Sequence, residues 1–105
     1  MATFAVIAEH PPELCITSNA RTRQMLKEGA PQIPKLAEQL GLDIITIRAF
    51  GPDHIMLAVV EADDIESVRE FMFQSRLIQW NTTKIYPTYS MEEVLAKADE
   101  MEPIF

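Results

Sequence analysis

The amino-acid sequence predicts an α+β domain of the ferredoxin-like type, βαββαβ, on a four-stranded antiparallel sheet in the order 4-1-3-2. Three observations predict it. Four short apolar or β-branched runs are bounded by proline, glycine or polar residues. Two longer stretches between them repeat their apolar residues at a helical period. The middle two runs are separated only by Gly51-Pro52-Asp53, a hairpin connection. At 105 residues the chain is read as a single domain over 1–105, with a short C-terminal helix at about 90–101 and a tail.

Strand one is Thr3 to Glu9; His10-Pro11-Pro12 ends it, because proline cannot donate to a sheet ladder. Residues 11–18 form a loop, and Thr17, Ser18 and Asn19 can each cap the helix that follows. That helix is broken at Gly29-Ala30-Pro31 and resumes through Ile33, Leu36, Ala37 and Leu40 to a stop at Gly41. Strand two is Asp43 to Phe50 and strand three His54 to Glu61, with proline suited to the type I turn between them. Asp63 or Asp64 caps a second helix carrying Ile65, Val68, Phe71, Met72, Ser75 and Ile78 on one face. Strand four is Thr82 to Thr88, with Pro87 suited to a sheet edge, and Ser90 caps the last helix.

Two helices cover one face of such a sheet, yet strand three is apolar on both faces from Ile55 to Val60. An uncovered second face would exceed the apolar patch a monomer ordinarily tolerates, so a homodimer or higher homo-oligomer is expected, a dimeric α/β barrel. Folding of the terminal helix over that face, through Met91, Val94, Leu95 and Met101, is the alternative.

Net charge −7 and an isoelectric point near 4.7 argue against nucleic acid and anionic membrane surfaces, which require clustered Lys and Arg. There is no run of about 18 apolar residues to span a bilayer. A single cysteine rules out an intrachain disulfide framework, and the N-terminus has no leader pattern, so a cytoplasmic location is expected.

The predicted strand order sets the end of strand one beside the start of strand three, making His10 and His54 neighbours. Strand four begins at the same end, bringing Trp80 and Asn81, and the loop after His10 carries Glu13 and Cys15 past it. Imidazole, thiolate and carboxylate together are a donor set for a divalent transition metal such as zinc, copper or iron, so His10, Glu13, Cys15 and His54 are the candidate ligands. His10, His54 and Cys15 are also the catalytic candidates, as bases or as a thiol nucleophile ahead of a helix N-terminus. Trp80, Tyr86 and Phe71, with Phe73 and Tyr89, are candidates to line a ligand pocket between sheet and helices. Phosphate loops, HExxH and GxSxG patterns are absent.

The stretch from Val59 to Leu95 resembles a family of small bacterial and archaeal ferredoxin-like domains related to the GYD domains. More distantly it resembles dimeric α/β barrels of the antibiotic-biosynthesis monooxygenase type. Val60-Glu61-Ala62-Asp63, the Trp80 segment, Tyr86-Pro87, Met91-Glu92-Glu93 and Ala8-Glu9-His10 carry the resemblance. It implies the fold and the dimer, and no particular reaction. The loop HPPELCITSN is unlike typical members and adds interest to His10, Glu13 and Cys15. Three function classes follow: a metal- or small-ligand-binding module, a cofactor-independent monooxygenase or isomerase with a histidine base, and a structural or regulatory partner.

Overall fold

The computed structural model describes residues 1–105. Strands β1 (Ala2–Glu9), β2 (Asp43–Ala49), β3 (Ile55–Ala62) and β4 (Thr82–Pro87) form one antiparallel sheet in the order β2-β3-β1-β4, the order expected from the sequence. Helices α1 (Ala20–Gly29), α2 (Ile33–Gln39) and α3 (Ile65–Gln74) lie on one face, and α4 (Met91–Asp99) follows β4. The architecture is α+β and ferredoxin-like.

The break between α1 and α2 falls where Gly29, Ala30 and Pro31 predict it, as a single 3-10 turn over Ala30–Gln32. Proline is tolerated there and at Pro34 because first-turn N–H groups have no intrahelical acceptor to lose. Asn19 caps α1 by accepting from the Thr22 N–H at 3.0 Å, and Asp64 caps α3 by accepting from that of Ser67 at 3.0 Å. Helix α3 is shorter than the apolar period suggests. Arg76 adopts a left-handed φ of 65°, ends the helix and leads into a 3-10 turn over Leu77–Gln79, which leaves Ile78 at the surface.

Alternation along the strands sorts the side chains. Phe4, Val6 and Ala8 of β1 face the helices together with Ala58, Val60 and Ala62 of β3. Phe4, Val6, Val60, Val68, Phe71 and Met72 are the heart of the core. The opposite face, where Ala5 and Ile7 pair with Val59 and Leu57, is covered by no other element of the chain. Helix α4 does not fold over it, because every residue of that helix is exposed.

Candidate functional site

The His10 main chain extends the β1–β3 ladder by one rung, its N–H donating to the His54 carbonyl at 3.2 Å. Two rungs earlier Ala8 pairs with Met56 on the core face, so His10 continues that face past the end of the hydrophobic core. His54 is delivered differently. Gly51 (φ 76°) and His54 (φ 57°) both take left-handed backbone in the β2–β3 turn, and a histidine there forgoes the conformation it would prefer. The imidazoles meet edge to face with ring centres 5.5 Å apart, and the Trp80 indole packs on His10, tilted, at 5.1 Å.

The third member comes from the loop between β1 and α1. Pro11 and Pro12 set a 3-10 turn over Pro12–Leu14 that brings Cys15 back over the strand end, where it is 6% exposed. The first turns of α1 fasten this loop. Asn19 Nδ2 donates to the Glu13 carbonyl at 3.2 Å, and the Arg23 guanidinium donates to the carbonyls of Ile16 at 2.7 Å and Thr17 at 3.2 Å. The result is a group of three donors, one atom each from His10, Cys15 and His54, all within 4.8 Å of one another.

Hydrogen bonding determines which imidazole nitrogen of His10 is free. Asn81 Nδ2 donates to the Leu77 carbonyl at 3.0 Å, which orients the amide, and its Oδ1 lies 3.0 Å from His10 Nδ1. Oδ1 can only accept, so His10 Nδ1 carries the proton and a neutral ring leaves its lone pair on Nε2. That Nε2 is buried and has no hydrogen-bond partner, and the same is true of His54 Nδ1.

The thiol is poised as an anion. Thr17 Oγ1 donates to Cys15 Sγ at 3.1 Å. Hydrogen bonding, this bond foremost and then the Thr17 N–H, lowers the thiol pKa from 9.0 to about 6 against the opposing effect of burial. At neutral pH Cys15 is therefore mostly thiolate.

The site brings together three of the four ligand candidates. Glu13 is exposed on the 3-10 turn and stands outside the group. The three aromatic pocket candidates do not share a cavity. Phe71 lines an apolar cleft of about 700 Å³ between the helices and the sheet, with Met56 and Ala8 at its end nearest His10. Trp80 packs on His10, and Tyr86, half-exposed, stands on the opposite face of the sheet beside Ala5. Phe73 and Tyr89 are exposed. Thr17 and Asn81 are the residues that sequence reasoning left without roles: Thr17 was a capping candidate, and Asn81 a neighbour. The available signals were a hydroxyl two residues from the only thiol and an amide at the start of the strand beside His10.

Among solved structures, the chain is similar to the C-terminal domain of the MgtC protein from Mycobacterium tuberculosis, whose structure was determined in solution. The TM-score is 0.52 at 12% identity, over 84% of this chain and 88% of that one, a likeness of fold. No family model and no curated protein matches the chain. No helix is long and apolar enough to cross a membrane.

Proposed function

We propose that the protein is a metal-binding module in which His10 Nε2, Cys15 Sγ and His54 Nδ1 hold one thiophilic transition-metal ion. The observation that carries this reading is the pair of buried imidazole nitrogens without partners, on the two histidines grouped with the Cys15 sulfur. Each buried unpaired polar atom costs on the order of 1–3 kcal/mol, so the arrangement is a liability unless something pairs with both nitrogens. A metal does so.

Donors around a tetrahedral ion with bonds of about 2.0–2.3 Å lie roughly 3.5 Å apart. Drawing donors within 4.8 Å of one another to that spacing requires side-chain adjustments of about 1 Å. The partner of His10 is also the one a ligand histidine uses, because metal-bound imidazoles ordinarily donate their second N–H to a fixed acceptor, here Asn81. Two imidazoles and one thiolate suit zinc, copper or iron and leave a coordination position open, where an ion would supply Lewis acidity or electron transfer to a small ligand.

Cobalt titration tests the reading. Wild-type protein is expected to develop a thiolate-to-cobalt charge-transfer band saturating at one equivalent, and Cys15→Ser and His54→Ala are expected to abolish it. A band unchanged in Cys15→Ser would defeat the assignment.

The lowered thiol favours a second reading. Here the Cys15 thiolate attacks an electrophilic carbon of a substrate, and the substrate's leaving group departs with its bonding electrons as the S–C bond forms. Quantitative alkylation of Cys15 in fully metal-loaded protein would favour that reading over a ligand role.

The functional unit in either case is a cytoplasmic homodimer of single-domain chains. The uncovered apolar face of the sheet supports the dimer, as does the resemblance to GYD-related domains.

A further inference from the structure

Helix α4 has nine residues and a good cap, Ser90 Oγ accepting from the Glu93 N–H at 3.0 Å. It nevertheless packs against nothing in its own chain. All of its residues are exposed, including Leu95 at 61%, and the molecule reaches 54 Å in its longest dimension. Its Cα radius of gyration of 16.4 Å compares with about 13 Å for a compact chain of this size. An isolated helix shorter than about 12 residues is marginal in water, so α4 needs a surface that its own chain does not provide. Its apolar residues, Met91, Val94, Leu95 and, beyond its end, Met101, recur at helical spacing on one side.

A matching surface exists on the chain, half-buried and packed on by no other element. The outer face of the sheet has Ala5, Ile7, Leu57 and Val59 at its centre, with Lys84 on the β4 side and Arg48 on the β2 side of the Ile7–Leu57 row; the carboxylates on this face, Glu9, Glu61 and Asp43, lie towards the strand ends. Neither cation is ion-paired within the chain, whose two salt bridges are Arg69–Glu66 and Lys97–Glu100. Helix α4 carries unpaired Glu92, Glu93 and Asp99. The two surfaces therefore match in apolar character, with charge complementarity confined to the two cations that flank the central row.

We propose that α4 is an exchanged arm: in the homodimer it lies across the outer sheet face of the second copy, between Lys84 and Arg48, while that copy's arm does the same in return. The inference rests on the dimer reading above. A two-fold arrangement satisfies both surfaces at once and closes the assembly. Burying a large apolar side chain removes roughly 100 Å² from water. The four on each arm, with an equal area of sheet beneath the other arm, come to about 800 Å² per subunit, the size of a standard stable interface.

Sedimentation equilibrium on the full chain tests it, comparing wild type with the double variant Val94→Asp/Leu95→Lys. The wild type is expected to be a dimer, and the variant to dimerise at least ~100-fold more weakly. Its circular dichroism outside α4 and its cobalt binding should be unchanged, because these side chains are exposed and lie outside the core and the site. Lys84→Glu should weaken the dimer as well, with partial recovery on adding Glu93→Lys. A variant dimer as tight as the wild type would overturn the arm and leave the dimer standing. A wild type monomeric at high micromolar concentration would overturn both.

Discussion

Replacing Asn81 by leucine separates a metal site from a merely buried polar cluster. Asn81 is buried, and its only acceptor contact is with the His10 Nδ1–H at 3.0 Å. Leucine fills a similar volume and takes that acceptor away. The Leu77 carbonyl does not become unpaired, since it still accepts from the main-chain N–H groups of residue 81 at 3.0 Å and Trp80 at 3.4 Å. The folding cost is then that of one orphaned N–H, on the order of 1–3 kcal/mol. The functional cost is different in kind. Without the Asn81 oxygen the His10 proton is no longer held on Nδ1, and loss of such a partner weakens metal binding by about 10- to 100-fold, about 1.4–2.7 kcal/mol. Competition with a chromogenic chelator measures the affinity, and ¹⁵N shifts of the His10 ring report the tautomer. Asn81→Asp keeps the acceptor oxygen and should bind metal at least as tightly as the wild type. Wild-type affinity in Asn81→Leu, or equal weakening in both variants, would refute the role of Asn81 in orienting the ligand.

Other expectations follow from the same geometry. In metal-free protein, the rate of Cys15 alkylation should rise with a midpoint near pH 6, not near 9; Thr17→Val should move the midpoint upward, because the Thr17 hydroxyl is the largest cause of the shift. The hydrogen bonds favouring the thiolate contribute stability that is complete above pH 9 and lost as pH falls through about 6, so chemical denaturation of Thr17→Val should depend less on pH over that window than the wild type. His54→Gly should bind no cobalt and yet raise the thermal midpoint of metal-free protein, because glycine adopts φ 57° freely and removes one unpaired nitrogen. Phe71→Ala should cost about 3–5 kcal/mol in denaturant unfolding, as the residue packs in the core beside Val68 and Met72.

The strand order was legible because it depends on period and punctuation. Pro11 and Pro12 end β1, Gly51-Pro52-Asp53 turn the chain back, and the alternating faces of β1 and β3 then follow. The meeting of His10 with His54 followed from that topology alone. What was not legible depends on directions within loops. Glu13 and Cys15 are two residues apart, but the 3-10 turn points one to solvent and the other to the histidines, and no periodicity records that choice. The left-handed backbone of His54 was hidden for a related reason: Gly51 advertises its own positive φ, whereas a histidine does not. Tyr86 was placed with Phe71 by its aromatic character, and the β1–β4 register puts it on the other face. The end of α3 at Arg76 was missed because Ile78 continues the apolar period beyond a break that only backbone geometry shows.

Elemental analysis of tag-free protein purified without chelators tests the central claim most directly. One transition-metal ion per chain in the wild type, absent from His10→Ala and Cys15→Ser variants that remain folded, is the predicted result. Wild-type protein that carries no metal and takes up none from a stoichiometric supply of zinc, copper or iron would contradict it.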